Sequence, residues 1–406
     1  MTAPLDGVAV LELTSWMAAP SAGAVLADLG ADVIKIEPPR GDPMRTISRQ
    51  PKLPEDSPLR GIDPSYQVDN RGKRSIAVAV DQPAGADLVR RLASTRQVFL
   101  TNLLPHRQQR YGLDPDGLFA VNPRLVHATL TGYGREGPEA WRPGYDVTAF
   151  FGRGAVTDSS LEPGGVPPFP RPAQGDHTTG LALTVAILAG LRMVEQTGTG
   201  QIVDTSLLET AAWTMATDLS ATLLDRRPVP KRDRHHLISP LANRFRGADD
   251  RWIILNMPEV HWWAKVCDVL ERPEWITDER FSTPKARFDN MPMVIDLLDE
   301  VFATRTAAEW GRLFDEAGLI WGPAQAIHEL VDDPQARAAG VFQPIPASGE
   351  RPSFETVAIP MNIRGADVGP RSQAPTVGEH TRAVLVEAGL DDGEIDALTA
   401  DGVLAG

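Results

Sequence analysis

Two short β-type runs enclose one helical run near the start of the chain, and this order constrains the fold more than any other feature. Val8 to Leu13 reads VAVLEL and Asp32 to Glu37 reads DVIKIE. Between them Ala18, Ala22, Val25, Leu26 and Leu29 recur at helical spacing, and Gly30 stands where a C-terminal cap belongs. Strand, helix and strand joined by short turns make a βαβ unit, whose strands run parallel. The pattern recurs in SIAVAV (Ser75 to Val80), an amphipathic helix over Pro83 to Ser94 opened by Asp81 and Pro83, and QVFLT (Gln97 to Thr101). LVHATLT, Leu125 to Thr131, adds a strand before the turn-rich GYGREGPEAWRPG. The whole predicts a doubly wound, Rossmann-like α/β domain.

Beyond it the texture changes. Glu162 to Pro172 carries Pro163, Pro167, Pro168, Pro170 and Pro172, so it reads as a loop. A helix over Thr178 to Gln196 follows, apolar nearly all round and therefore expected to be buried centrally. Thr199 to Asp204 starts a strand and Ser206 to Leu224 a helix. Asp225 to Pro240, polar, basic and proline-bearing, reads as a linker. Trp252 to Leu255 is a short strand, and Trp262, Trp263, Trp275 and Trp310 fall in helical segments. That texture predicts a smaller α+β domain ending near Leu330. Gly365 to Pro375 reads as a loop, and Thr376 to Leu404 as a helix-turn-helix end piece.

Composition narrows the function. The 406 residues carry a net charge of −14, which argues against general nucleic-acid binding, since that needs clustered Lys and Arg. The single cysteine, Cys267, excludes an internal disulfide framework and a Cys-based zinc ribbon, and its aromatic-rich run WWAKVCDVL reads as core. MTAPLDGVAV has no basic stretch leading into an apolar one, so no signal peptide is expected. The longest uncharged apolar run, Leu181 to Leu191, is well short of the ~20 residues of a membrane helix. A cytoplasmic protein without membrane or nucleic-acid partners is expected.

No GxGxxG follows the first strand, no GxxxxGK[ST], HExxH or GxSxG motif is present, and His235 and His236 stand in the basic linker without neighbouring ligands, so no metal site is expected. The informative segment is Gln174-Gly175-Asp176-His177-Thr178-Thr179-Gly180, between the proline-rich loop and the apolar helix. One reading makes Asp176 the helix N-cap. The other makes it a nucleophile: Gly175 and Gly180 would open the carboxylate to a ligand, and the helix N-terminus would stabilise a developing oxyanion. Three basic groups, Arg40 with Arg45, Arg71 with Lys73 and Arg74, and Arg107 with Arg110, lie at loops around the predicted sheet and together suit a ligand with several phosphates.

These residues carry a resemblance. PLDGVAVLELT, AAPSAGAVLADLGADVIKIEPPRGDPMR, NRGKRSIAVAV, LVHATLTGYGREGP, GDHTTGLALTVAILAGLRMVEQTGTGQIVDTSLLE and GEHTRAVLVEAGL, with FATRTAAEW and AGLIWGPAQ in the small domain, resemble the class III CoA-transferases. That group includes formyl-CoA and carnitine CoA-transferases and the α-methylacyl-CoA racemases. The resemblance implies an intertwined homodimer. It also implies a large CoA-binding domain over residues 1–224 completed by 331–406, with linker and small domain over 225–330. Asp176 falls at the position of the family's catalytic aspartate. CoA enters as a co-substrate with no tightly bound cofactor, and the substrates are an acyl-CoA and a carboxylic acid.

Arg40, Lys73, Asn102 and Arg110 fall at or near positions resembling the family's CoA contacts, and Ser15, Met17 and Ala18 occupy the turn lining the same site. Trp16, Tyr145, Gly175 and His177 are expected at the substrate pocket, with Phe150 and Phe169 as further candidate walls. Oxalate-using relatives carry glutamine at the Met17 position; a thioether hydrogen-bonds a small dicarboxylate poorly, so a larger or more apolar acyl group is expected. The alternative activity is α-methylacyl-CoA racemisation. Similar racemases carry a histidine in a GHD motif where this chain reads Gly144-Tyr145-Asp146, and neutral tyrosine is a poor α-proton base.

Overall fold

The computed structural model describes residues 2–47 and 51–405. Two compact units form, one from Met1–Ser159, Pro168–Arg226 and Gln335–Gly406, the other from Ser160–Pro167 and Arg227–Pro334. The strands are β1 Ala9–Leu13, β2 Asp32–Glu37, β3 Arg74–Val78, β4 Val98–Thr101, β5 Val126–Thr131, β6 Gln201–Ser206, β7 Ala242–Arg246, β8 Trp252–Asn256, β9 Trp321–Pro323, β10 Phe342–Ile345, β11 Phe354–Val357 and β12 Leu404–Ala405. The helices that position the site are α1 Ala18–Asp28, α2 Pro64–Asn70, α3 Pro83–Ala93, α4 Pro105–Tyr111 and α5 Gln174–Thr197.

In the first unit the sheet order is β12-β3-β2-β1-β4-β5-β6. β1 to β6 are mutually parallel, and β12 closes the β3 edge antiparallel, a strand the sequence reading did not foresee. The order reverses between β1 and β4, which is where open α/β sheets leave a crevice at their carboxyl ends. Alternation along each strand builds two cores. Val10, Val33, Val98 and Leu100 join α1 and α5 on one face. Leu11, Ile34, Ile36, Ile76 and Phe99 join Leu88, Val89 and Leu92 of α3 on the other. Each such side chain contributes roughly 1.5–3 kcal/mol on burial.

Every residue of α1 is buried, which its Ala, Gly and Ser content permits by letting backbones approach closely. α5 crosses it tightly. A Cβ on Gly180 would collide with the Ser21 hydroxyl and come within 2.8 Å of the Ala18 carbonyl oxygen. Gly180 is therefore a packing glycine and does not open the site to a ligand.

α5 begins at Gln174, four residues before the sequence reading placed it, because Ala173 takes the N-cap position in the left-handed region, φ 80°. It is also less buried than expected. Gly180, Leu183, Thr184, Ile187 and Val194 are buried, but Val185 and Met193 are exposed. By length and apolarity α5 alone among the described helices could cross a membrane, with 39% of the relevant stretch buried. Its packing along one face against α1 and the sheet is that of a core helix. The single helix expected over Ser206 to Leu224 divides at Met215 into Leu207–Thr214 and Ala216–Asp225.

The second unit carries the antiparallel sheet β7-β8-β9. Its core stacks Phe245 on Phe302 at 4.5 Å, with Trp263, Trp275 and Trp310 buried around them. Cys267 lies in that core, and burial pushes its thiol up to about 12, so it is no nucleophile. The α1–α5 crossing gives a direct test. Gly180→Val should lower stability by about 1–3 kcal/mol through overpacking, measured by urea unfolding.

Candidate active site

The turn after β1 sets the geometry. Trp16 stands in the left-handed region at φ 72°, unusual for a bulky residue. Two carboxyl or amide groups hold it there. The Trp16 N–H donates to Asp42 Oδ1 at 3.1 Å. The neighbouring Ser15 exchanges two bonds with Asn102, just past β4: Ser15 N–H to Oδ1 at 3.1 Å and Nδ2 to the Ser15 carbonyl at 2.7 Å. The β1 and β4 ends are thus stitched together at the point where the sheet order reverses. Beside them opens a cavity of about 670 Å³ lined by Ser15, Trp16, Arg40, Asn102, Arg107 and Tyr111, among others.

Of the expected contacts, then, Ser15, Trp16, Arg40 and Asn102 line this cavity. Arg107 joins them in place of Arg110, which lies on the exposed side of α4 beside the Tyr111 ring. Lys73 does not. It is buried, with its ammonium on Glu12 Oε2 at 2.8 Å, the Pro20 carbonyl at 2.8 Å and Asn70 Oδ1 at 3.2 Å. Burial pulls it down to about 8 against the raising pull of Glu12. It serves the interior and offers nothing to a phosphate. The other expected cations are also internally neutralised: Arg45 by Glu37 at 2.7 Å, Arg71 by Asp28 at 2.8 Å, and Arg74 by Asp32 and Glu387 at 2.7 Å each. Arg40 and Arg107 make no ion pair among the described residues, which leaves them available to an anion.

Met17 packs on the small cluster of Met44, Tyr66 and Ala374, and Ala18 is buried under α5, so neither lines the cavity. Phe150 is a core residue and Phe169 is exposed.

Asp176 is in the first turn of α5 rather than at its cap, and no hydrogen bond among the described residues holds its carboxylate. The capping reading therefore fails. Its neighbours arrive from three elements. Asp146 opens the π-helical segment Asp146–Arg153, and its Oδ1 accepts the Gly175 N–H at 3.2 Å. Gly175 is required by that approach, since a Cβ would overlap Phe150 and Asp146; it makes room for these residues and not for a ligand. His177 Nε2 meets Asp69 Oδ1, on α2, at 2.9 Å. Trp16 reaches the same neighbourhood, edge-on to Tyr145 at 5.3 Å, and Tyr145 directly precedes Asp146. Asp176, Gly175, His177 and Tyr145 lie outside the lining of the cavity itself; the Trp16–Tyr145 contact is what links the two regions.

Burial and the Asp146 charge push Asp176 up to about 7, with Asp69 adding to the rise and His177 opposing it. Burial also raises Asp69 and Asp146. Burial opposes the His177 imidazolium, but the Asp69 bond and the surrounding carboxylates outweigh it and hold His177 above its ordinary value. Asp69 was not singled out from sequence; it sits in a polar run, VDNRGK, whose appearance is that of an exposed loop. Among the described residues one group of potential metal ligands, His235, Asp296 and Asp299, all in the second unit, has its donor atoms within 4.8 Å of one another. Arg234 already occupies both Asp299 oxygens at 2.6 and 2.7 Å, so the set does not suit a cation.

The pattern of CoA-transferase family III matches residues 5–381. This chain belongs to that family. It is therefore an enzyme of the class III acyl-CoA transferase group. It is 32% identical to the (R)-2-hydroxy-4-methylpentanoate CoA-transferase of Clostridioides difficile, over 97% of each chain. It is 30% identical to the formyl-CoA:oxalate CoA-transferase of Streptomyces avermitilis, over 100% of each. A CAIB/BAIF family protein from Brucella suis has the same fold, with TM-score 0.83, 30% identity, and 96% of this chain and 100% of that one covered.

The raised Asp176 value of about 7 makes its ionisation a stability burden. As pH rises from the ordinary carboxylate value towards 7, the unfolded chain sheds this proton first and stability declines. Asp176→Asn removes the burden. Its Tm should exceed that of the parent near pH ~8, and the difference should vanish near pH ~3, in thermal unfolding followed across pH.

Proposed function

We propose that this enzyme moves CoA from an acyl-CoA thioester to a carboxylic acid through a covalent aspartyl thioester on Asp176. The observation that carries the reading is the Asp176 carboxylate itself: partly buried, without a hydrogen-bond partner among the described residues, and raised to about 7. A desolvated, more basic carboxylate is a better nucleophile than one in water.

The chemistry needs no external base. An Asp176 oxygen attacks the thioester carbonyl, and the C–S bond breaks to give a mixed anhydride and CoA thiolate. The thiolate attacks the aspartyl carbonyl, releasing the donor acid and leaving the aspartyl-CoA thioester. The acceptor carboxylate attacks that thioester and regenerates thiolate. Attack of thiolate on the acceptor acyl carbon then forms the new acyl-CoA and frees Asp176. Arg40 and Arg107 would hold the phosphates of CoA; both line the cavity beside the β1–β4 crevice, as do Ser15 and Asn102.

The acceptor is read as a bulky, apolar carboxylic acid. Trp16, which lines the cavity and meets Tyr145 edge-on, gives an aromatic wall. The branched hydroxy acid in the name of the Clostridioides relative, with its isobutyl side chain, agrees with this. The racemase alternative is not favoured: Tyr145 stands in place of the histidine base, and His177 is engaged by Asp69. A homodimer is the accompanying reading, supported by the exposed apolar side chains of Val185, Met193, Trp213 and Leu224.

Asp176→Ala should fold and bind CoA yet lose at least ~10³ in transfer rate, and hydroxylamine should trap the parent protein, but not the variant, after incubation with acyl-CoA. Turnover by Asp176→Ala at the parent rate would refute the covalent route. Arg40→Ala and Arg107→Ala should each raise KM for acyl-CoA several-fold with kcat nearly unchanged, because they bind ground and transition states alike.

A further inference from the structure

Three carboxylates, Asp69, Asp146 and Asp176, converge from α2, the π-helical segment and α5. Asp69 and Asp146 are buried, and each keeps one oxygen, Oδ2, with no hydrogen-bond partner. Carboxylates this poorly compensated repel one another and favour the protonated form. Among the described residues, one of the three, Asp69, has a cation at contact distance. His177 directly follows Asp176 and reaches Asp69 at 2.9 Å. The nearest other cations are committed elsewhere: Lys73 to Glu12 and Arg71 to Asp28, each at 2.8 Å.

We propose that His177, fastened by Asp69, is a positioning residue whose imidazolium keeps Asp176 in the ionised, attacking form. The inference rests on the nucleophile reading of Asp176 and adds a role that the transfer chemistry does not itself require. Nε2 is held on Asp69, which fixes the ring, and the imidazolium charge acts on the carboxylate of the preceding residue, Asp176. Asp69 does not touch the reacting atoms; it acts through His177. Asp146 works on Asp176 in the opposite sense, by repulsion, and separately accepts the Gly175 N–H.

The His177 side chain is 42% exposed, so its replacement opens no cavity in the core, although it removes the partner of Asp69. The experiment is single-turnover formation of the covalent aspartyl species from acyl-CoA, without acceptor, across pH. The proteins are the parent, His177→Asn, His177→Gln, His177→Lys and Asp176→Ala. Loss of a cation beside Asp176 raises the pH at which it ionises. The acid limb of both neutral variants should move up by about one unit, a roughly tenfold loss on that limb that closes above it. His177→Lys, which keeps the charge, should retain the parent's limb. An unmoved limb in the neutral variants, or an equal loss at every pH, overturns the proposal and leaves His177 a structural residue. Formation of the covalent species by Asp176→Ala would instead overturn the nucleophile reading, whatever the His177 variants do.

Discussion

One buried carboxylate, Asp42, holds the region on which the site is built. It accepts the N–H groups of Trp16 at 3.1 Å and Met44 at 2.9 Å, and faces Lys35 Nζ at 2.9 Å. The Trp16 turn is strained, by about 1–3 kcal/mol for a bulky residue in the left-handed region, and persists because its surroundings over-determine it. Lys35 also reaches Glu12 at 3.5 Å, and Glu12 pairs with Lys73, which is bonded to Asn70 on α2. The residue before Asn70 is Asp69. A series of buried charged and polar groups therefore runs from the turn that shapes the crevice to Asn70, next in the chain to the partner of His177.

Such a network is poor evidence for stability. Taking charges out of water costs several kcal/mol per ion, and pairing often only restores the balance. What it supplies is position. Removing one member would strand a charge in the interior, so the turn, the end of β2 and α2 hold one another in register. This also explains why Lys73, Arg71 and Arg45 stand beside a crevice without serving it. Their partners, Glu12, Asp28 and Glu37, already satisfy them.

The surroundings of Asp176 make the opposite use of charge. Asp69 and Asp146 crowd it, and a fully satisfied interior would not leave their Oδ2 atoms unpartnered. Departures of this kind from the usual rules of burial mark sites where function is maintained against stability. The fold tolerates the departure because α5 is pinned elsewhere, by the Gly180 crossing over Ser21 and by Leu183 and Ile187 in the core.

Local order determined most of the architecture. The alternation in VAVLEL and DVIKIE, the small-residue helix between them and the short joints fix a parallel pair, because chain connectivity and handedness leave few alternatives. The GDHTTG segment marked Asp176 for the same reason, being short, contiguous and glycine-flanked. Its glycines misled, however, since what a missing Cβ makes room for depends on residues distant in the chain: Phe150 and Asp146 at Gly175, Ser21 at Gly180. The start of α5 was misplaced because it turns on one residue, Ala173, adopting the left-handed region. Which arginines face the crevice, that Lys73 is buried, and that Asp69 meets His177 across 108 residues of chain were decided by tertiary structure alone. Sequence records which charges a chain carries, but only the packed fold determines which of them find partners.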